Sequence, residues 1–271
     1  MVSRIFKSSL VCALLLTLAT SCKSEKKETI EVETSEPTTI ESKELTLVET
    51  IEKAYHKDLF LAKDAIELDM VISFGGKERL DAKMTYLTNS TKGKIELKDG
   101  TFIYYDGDKV FHSPDFKNEK AVRFDAYTWM YFLLFHTKMS DPGTIWTTME
   151  AQELRDKTYN AQRLTFEANT GDAPDDWYIV YSDPETHMMD YVAYIVTVNK
   201  STEAAEADPH AIGYSNYKMI DGLPIAHNWE FYEWSKTEGI GKVIGEATIK
   251  NVKFITPETD TFTIPEGFVE K

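Results

Sequence analysis

The chain has two cysteines in 271 residues, Cys12 and Cys22. Cys12 lies inside a leading apolar run and Cys22 closes it, so everything beyond has no thiol for a disulfide, a nucleophile or a thiolate metal site. The folded part must stand on its core alone. Other signatures are missing as well. There is no Gly-x-Ser-x-Gly elbow, no His-Glu-x-x-His pair and no glycine-rich nucleotide loop, which removes the most legible hydrolase, zinc and nucleotide chemistries. Basic residues are few: 30 Lys and Arg face 45 Asp and Glu, a net charge of −15. Without clustered cations to grip phosphates, nucleic acid is excluded as the expected partner, and electrostatic docking flat on anionic lipid is disfavoured. The apolar run at residues 9–19 is about half of what a spanning helix needs.

What is present at the start is a signal. Arg4 and Lys7 precede that apolar run, and Ala19-Thr20-Ser21-Cys22 follows it, an arrangement that resembles a bacterial lipobox. The reading predicts a signal peptide at residues 1–21, acylation of Cys22 and firm attachment to a bilayer through its acyl chains. Loss of Arg4 and Lys7 would take the net charge from −15 to −17. Residues 23–44 contain seven glutamates, four lysines and no aromatic, which predicts a disordered acidic tether over residues 22–44 with a reach of about 25 Å. Lys23 stands where an inner-membrane retention aspartate would, so the expected location is the outer membrane, on its periplasmic or cell-surface face.

Residues 45–271 read as a single domain. Leu47, Ile51, Ala54 and Tyr55 recur at helical spacing, predicting an amphipathic helix that ends near His56 or Lys57. The period then changes to two. Ile66, Leu68, Met70, Ile72 and Phe74 alternate with Glu67, Asp69, Val71 and Ser73 up to Gly75-Gly76, and Leu80, Ala82, Met84 and Tyr86 return, a half-buried hairpin. Short strands punctuated by Asp99-Gly100 and Asp106-Gly107 continue the meander. Residues 123–139 break it with seven consecutive apolar residues from Trp129 to Phe135, predicting a buried helix stopped by Asp141-Pro142-Gly143. Strands are predicted at 145–154, 159–167, 177–181, 188–198, 211–220, 225–234 and 242–255, with 199–209 a polar loop. No βαβ alternation appears. The fold class is mainly β with a few helices: a curved antiparallel meander forming an incomplete half-barrel with covering helices.

The helix leading into Asp141-Pro142-Gly143-Thr144, the strand from Asp176-Trp177 into Tyr181-Ser182-Asp183-Pro184-Glu185-Thr186, and Asp221-Gly222-Leu223-Pro224 resemble a family of Bacteroidota lipoproteins without an assigned function. That family is distantly similar to the lipoprotein-sorting carriers of the LolA and LolB type. The resemblance implies an incomplete antiparallel barrel whose apolar concave face is covered by helices and accepts acyl chains, with no catalytic residue or cofactor to carry over. The candidate ligand-binding set is Leu68, Met70, Ile72, Met84 and Tyr86 on the sheet with Trp129, Phe132 and Phe135 on the covering helix; alternatively these side chains fill an ordinary core.

The six histidines are scattered, with no metal site implied, and His136 is expected to cap its helix or reach water. Asp172, Asp175 and Asp176 read as a solvated turn rather than a calcium loop. The function expected is a non-catalytic, lipid-anchored envelope module binding a lipid or other apolar ligand. The alternatives are a scaffold lipoprotein with a filled core and a protein partner, or an envelope hydrolase.

Overall fold

The computed structural model describes residues 44–198 and 200–271. The signal at 1–21, the lipid site at Cys22 and the tether up to residue 43 lie outside the described residues.

Helix α1 (Leu47–Ala54) opens on a capping box in which the Thr46 hydroxyl accepts from the Glu49 N–H and the Glu49 carboxylate accepts from the Thr46 N–H. It stops earlier than the apolar spacing predicts. His56 takes a left-handed backbone, φ 54°, and the chain turns into a second short helix, α2 (Lys57–Leu61), that buries Phe60. The strands follow: β1 (Ala65–Phe74), β2 (Lys77–Leu87), β3 (Lys92–Leu97), β4 (Phe102–Asp106) and β5 (Lys109–His112). Then comes the long helix α3 (Val122–Lys138). The second half holds β6 (Thr144–Thr148), β7 (Gln152–Leu154), β8 (Lys157–Phe166), β9 (Tyr178–Ser182), β10 (Met189–Tyr194), helix α4 (Thr202–Glu206), β11 (His210–Ile220), β12 (Leu223–Ser235), β13 (Gly239–Ile255) and β14 (Val269–Glu270).

All these strands pair antiparallel, in the order β14-β5-β4-β3-β2-β1-β13-β12-β11-β10-β9-β8-β6, with β7 hanging from β8. Two meanders are thus joined where β1 meets β13. The end strands β14 and β6 do not pair with each other, so the sheet stays open, the half-barrel the sequence implies. Bulges bend it at the seam: the register shifts between Glu67 and Asp69 against β13 and between Ile72 and Ser73 against β2. Gly245 is required there, because a Cβ would collide with the Phe74 ring and the Ser73 carbonyl.

Helix α3 leaves beside one edge of the sheet and returns to the opposite edge. Its 17 residues rise about 25 Å, enough to cross the inner face. That crossing buries it nearly all round, in keeping with its apolar sequence. The inner-face cluster unites Leu68, Met70, Ile72, Met84 and Tyr86 with Trp129, Phe132, Phe135, Trp229 and Phe231. Alternate residues of the second meander, including Ile179, Tyr181, Ala193, Ala211 and Tyr232, form a smaller cluster on the outer face with Trp177, Trp234 and Ala205 of α4.

Two element boundaries differ from the sequence reading. The strand predicted at 145–154 is two strands, β6 and β7, broken at residues 149–151 where the register against β8 slips by one residue, from Thr148 opposite Gln162 to Gln152 opposite Tyr159. The polar loop at 199–209 contains α4, whose Ser201 hydroxyl accepts from the Ala204 N–H.

Candidate functional site

The site is built around α3, and three polar contacts fix that helix to the sheet. Asp125 is buried, yet its carboxylate accepts from Arg79 at 2.7 Å and from the Trp129 indole at 3.0 Å. Burial raises the carboxyl pKa, while both donors pull it back. The Tyr214 hydroxyl donates to the Phe132 carbonyl at 3.1 Å, and the Tyr127 hydroxyl to the Gly107 carbonyl at 3.0 Å. The helix ends where Trp146 donates its indole N–H to the Met139 carbonyl, supplying one of the partners a helix terminus needs.

The face of α3 bearing Phe124, Tyr127, Thr128 and Tyr131 borders a cavity of about 590 Å³. Its far wall comes from the second meander: Phe166 of β8, Tyr178 of β9, Tyr194 of β10, and Val196 just beyond. This volume falls in the range of roughly 300–1,000 Å³ usual for small-molecule sites, and its walls are mostly aromatic and aliphatic. Tyr131 and Tyr178 rings lie 5.3 Å apart, Tyr178 and Tyr194 6.4 Å, and Phe132 and Tyr194 4.9 Å. Burial pushes the phenols of Tyr131, Tyr178 and Tyr194 well above their ordinary range, so they stay protonated near neutral pH.

Charges stand around this apolar space in fixed pairs. Arg123 reaches Asp172 through Nε at 2.8 Å and also through Nη2, donates to the Asp108 carbonyl at 2.9 Å, and covers the Tyr127 ring at 5.1 Å. It ties the β4–β5 turn to the loop after β8. Lys138 pairs with Asp141 and donates to Ser90. Asp176 accepts from the Thr197 N–H at 2.8 Å and its hydroxyl at 2.7 Å.

Of the eight candidate binding residues, Phe132 lines the cavity. Phe135 sits one layer back, packed on Tyr131 at 5.4 Å and Tyr178 at 5.3 Å. Trp129 points to Phe231 at 6.1 Å, and Leu68, Met70, Ile72, Met84 and Tyr86 are sealed in the core beneath the helix. The sequence reading missed Tyr131, Tyr178, Tyr194 and Asp176. Tyr178 and Tyr194 meet only through the register of β9 with β10, Tyr131 lay unmarked within the apolar run of α3, and Asp176 carried no signal.

Two expectations are corrected. His136 does not cap its helix: it is almost wholly buried, stacked on Tyr55 at 4.7 Å and edge-on to Phe60 at 4.9 Å, and that burial lowers its pKa to about 3. The acidic turn is not uniformly solvated either, because Asp172 holds Arg123 and Asp176 is buried on Thr197. No group of three or more His, Cys, Asp or Glu able to hold a metal occurs among the described residues, and no described helix is long and apolar enough to cross a membrane.

Residues 83–215 match a family of unknown function (DUF6503). No curated protein matches the chain in sequence. Among solved structures, a LolA superfamily protein from Nitrosomonas europaea superposes with a TM-score of 0.56 at 9% identity, covering 81% of this chain and 99% of that one. A DUF1329 family protein from Desulfovibrio piger gives a TM-score of 0.49 at 12% identity, covering 79% and 95%. The chain is similar to the first of these in fold, an open antiparallel barrel crossed by helices.

Proposed function

We propose that the protein is a non-catalytic binding module of the cell envelope, held to the outer membrane by acyl chains on Cys22, which takes a lipid or other hydrophobic ligand into the cavity beside α3. The cavity carries this reading: an interior of about 590 Å³ bounded by Phe124, Tyr131, Phe132, Phe166 and Val196 has the size and surface an acyl chain or ring system needs. The likeness of fold to a LolA superfamily protein is consistent with it. In this reading Phe132 touches the ligand, Phe135 and Trp129 brace the wall, and Leu68, Met70, Ile72, Met84 and Tyr86 form the packed base on which α3 rests. Residues 45–271 act as one domain, and residues 22–44 as its tether.

Filling the cavity separates binding from folding. Val196 lines the space and is only half-buried, so Val196→Trp can occupy it without disturbing the core. With the uncharged fluorophore N-phenyl-1-naphthylamine, the natural protein should bind and Val196→Trp should lose about ten-fold or more in affinity at an unchanged melting temperature. Equal uptake by both proteins would contradict the assignment of the cavity.

A further inference from the structure

The polar groups inside the cavity restrict what the ligand's head can be. Asp176 is 8% exposed and lines the cavity. Thr197 holds one carboxylate oxygen, Oδ1, through two bonds, and Oδ2 has no hydrogen-bond partner among the described residues. Those two bonds favour the ionised form and so oppose the effect of burial. Beside it stand two phenols, Tyr178 (8% exposed) and Tyr194 (7%), and the partly buried Tyr131; none of the three hydroxyls is bonded among the described residues. Tyr131 and Tyr178 both feel the charge of Asp176, and the Tyr194 ring lies 6.4 Å from that of Tyr178.

A buried carboxylate with one oxygen left free, beside three hydroxyls without a partner among the described residues in an otherwise apolar wall, favours a ligand that supplies hydrogen-bond donors. The charge around them has one sign. Four carboxylates and two cations line the cavity, and both cations are already paired, Arg123 with Asp172 and Lys138 with Asp141. No unpaired cation is left among the described lining residues to receive an anionic head, whereas Asp176 repels one at short range.

We propose that the cavity selects uncharged or cationic amphiphiles whose head donates hydrogen bonds through hydroxyl or amine groups, with Asp176 Oδ2 accepting and Tyr131, Tyr178 and Tyr194 completing the contacts, and that it rejects carboxylate and phosphate heads. This rests on the reading of the cavity as a ligand site and adds the chemistry of the ligand's polar end.

Competition on the full chain tests it. Monolauroylglycerol, dodecylamine and laurate share one chain length and differ in the head; each is titrated below its micellar range at neutral pH against bound N-phenyl-1-naphthylamine. Monolauroylglycerol and dodecylamine should displace the probe at concentrations about ten-fold or more below laurate. Asp176→Asn, with its fold checked by thermal unfolding, should weaken dodecylamine, strengthen laurate and so close most of the gap. Tyr178→Phe, which keeps the ring, should weaken monolauroylglycerol several-fold and leave laurate unchanged. Laurate displacing the probe as well as the other two would overturn the head-group proposal while leaving the cavity reading in place. An unchanged preference in Asp176→Asn would overturn the role of that carboxylate, even with the Tyr178→Phe result as expected. A probe that never binds the natural protein would overturn the cavity reading and this proposal with it.

Discussion

The imidazole of His136 lies between the Tyr55 and Phe60 rings with Lys57 as a neighbouring charge, so both desolvation and like-charge repulsion favour its neutral form. Its folded pKa of about 3 stands below its unfolded value of 6.5. Between those values the unfolded chain binds the extra proton, so stability is lost as pH falls from 6.5 toward 3, by up to about 1.4 kcal/mol per unit from this residue. Chemical denaturation across that window should show His136→Phe flattening the dependence relative to the natural chain; identical slopes would mean the ring is hydrated. Nothing near His136 in the sequence gave this away. Tyr55 stacks on it from a different helix, and Tyr55 is itself fixed by the Tyr217 hydroxyl at 2.6 Å and the Met189 N–H at 3.2 Å, partners more than a hundred positions distant. Asp176 was hidden for the same reason, since Thr197 lies 21 residues on and an Asp-rich stretch reads as a surface turn.

The helix α3 was legible as an element because seven consecutive apolar residues ended at a Pro-Gly stop leave few alternatives. Its anchor was not, and that anchor is asymmetric. Asp125 is 2% exposed, whereas the Arg79 side chain keeps 32% of its surface. Removing the acid in Asp125→Ala lets Arg79 return to water and orphans the Trp129 indole, a loss of about 1–3 kcal/mol. Removing the base in Arg79→Ala strands a buried carboxylate, which should cost more, about 3–5 kcal/mol before protonation relieves it. Denaturant melts should rank Arg79→Ala below Asp125→Ala at neutral pH, with the gap narrowing in acid as Asp125 takes a proton. The reverse order would place Arg79 in solvent. Strand spacing, by contrast, could not reveal the β6–β7 break, because a one-residue slip against β8 between Thr148 and Gln152 leaves no mark in the alternation of side chains.

Across residues 44–271 the arrangement follows from one topological fact: the two meanders meet at β1 and β13, so their far ends, β14 and β6, are left apart and α3 must run between them. Alternation in β1 and β2 showed which side chains face inward, as the register Leu68 with Met84 and Ile72 with Leu80 displays. It could not show where inward-facing side chains meet helix and where they meet space. That depends on which side of α3 is tightly packed: beneath it the core of the first meander is closed, and beside it the wall of β8, β9 and β10 stands off and leaves the cavity. The binding account therefore turns on whether that space is occupied in the cell. The direct measurement is organic extraction and mass spectrometry of the full chain purified from its native membranes, together with Val196→Trp prepared alongside. The account predicts a stoichiometric amphiphile with a hydroxyl or amine head, released by solvent from the natural protein and missing from Val196→Trp. Extracts without any bound lipid, or the same lipid in equal amount from both proteins, would contradict it.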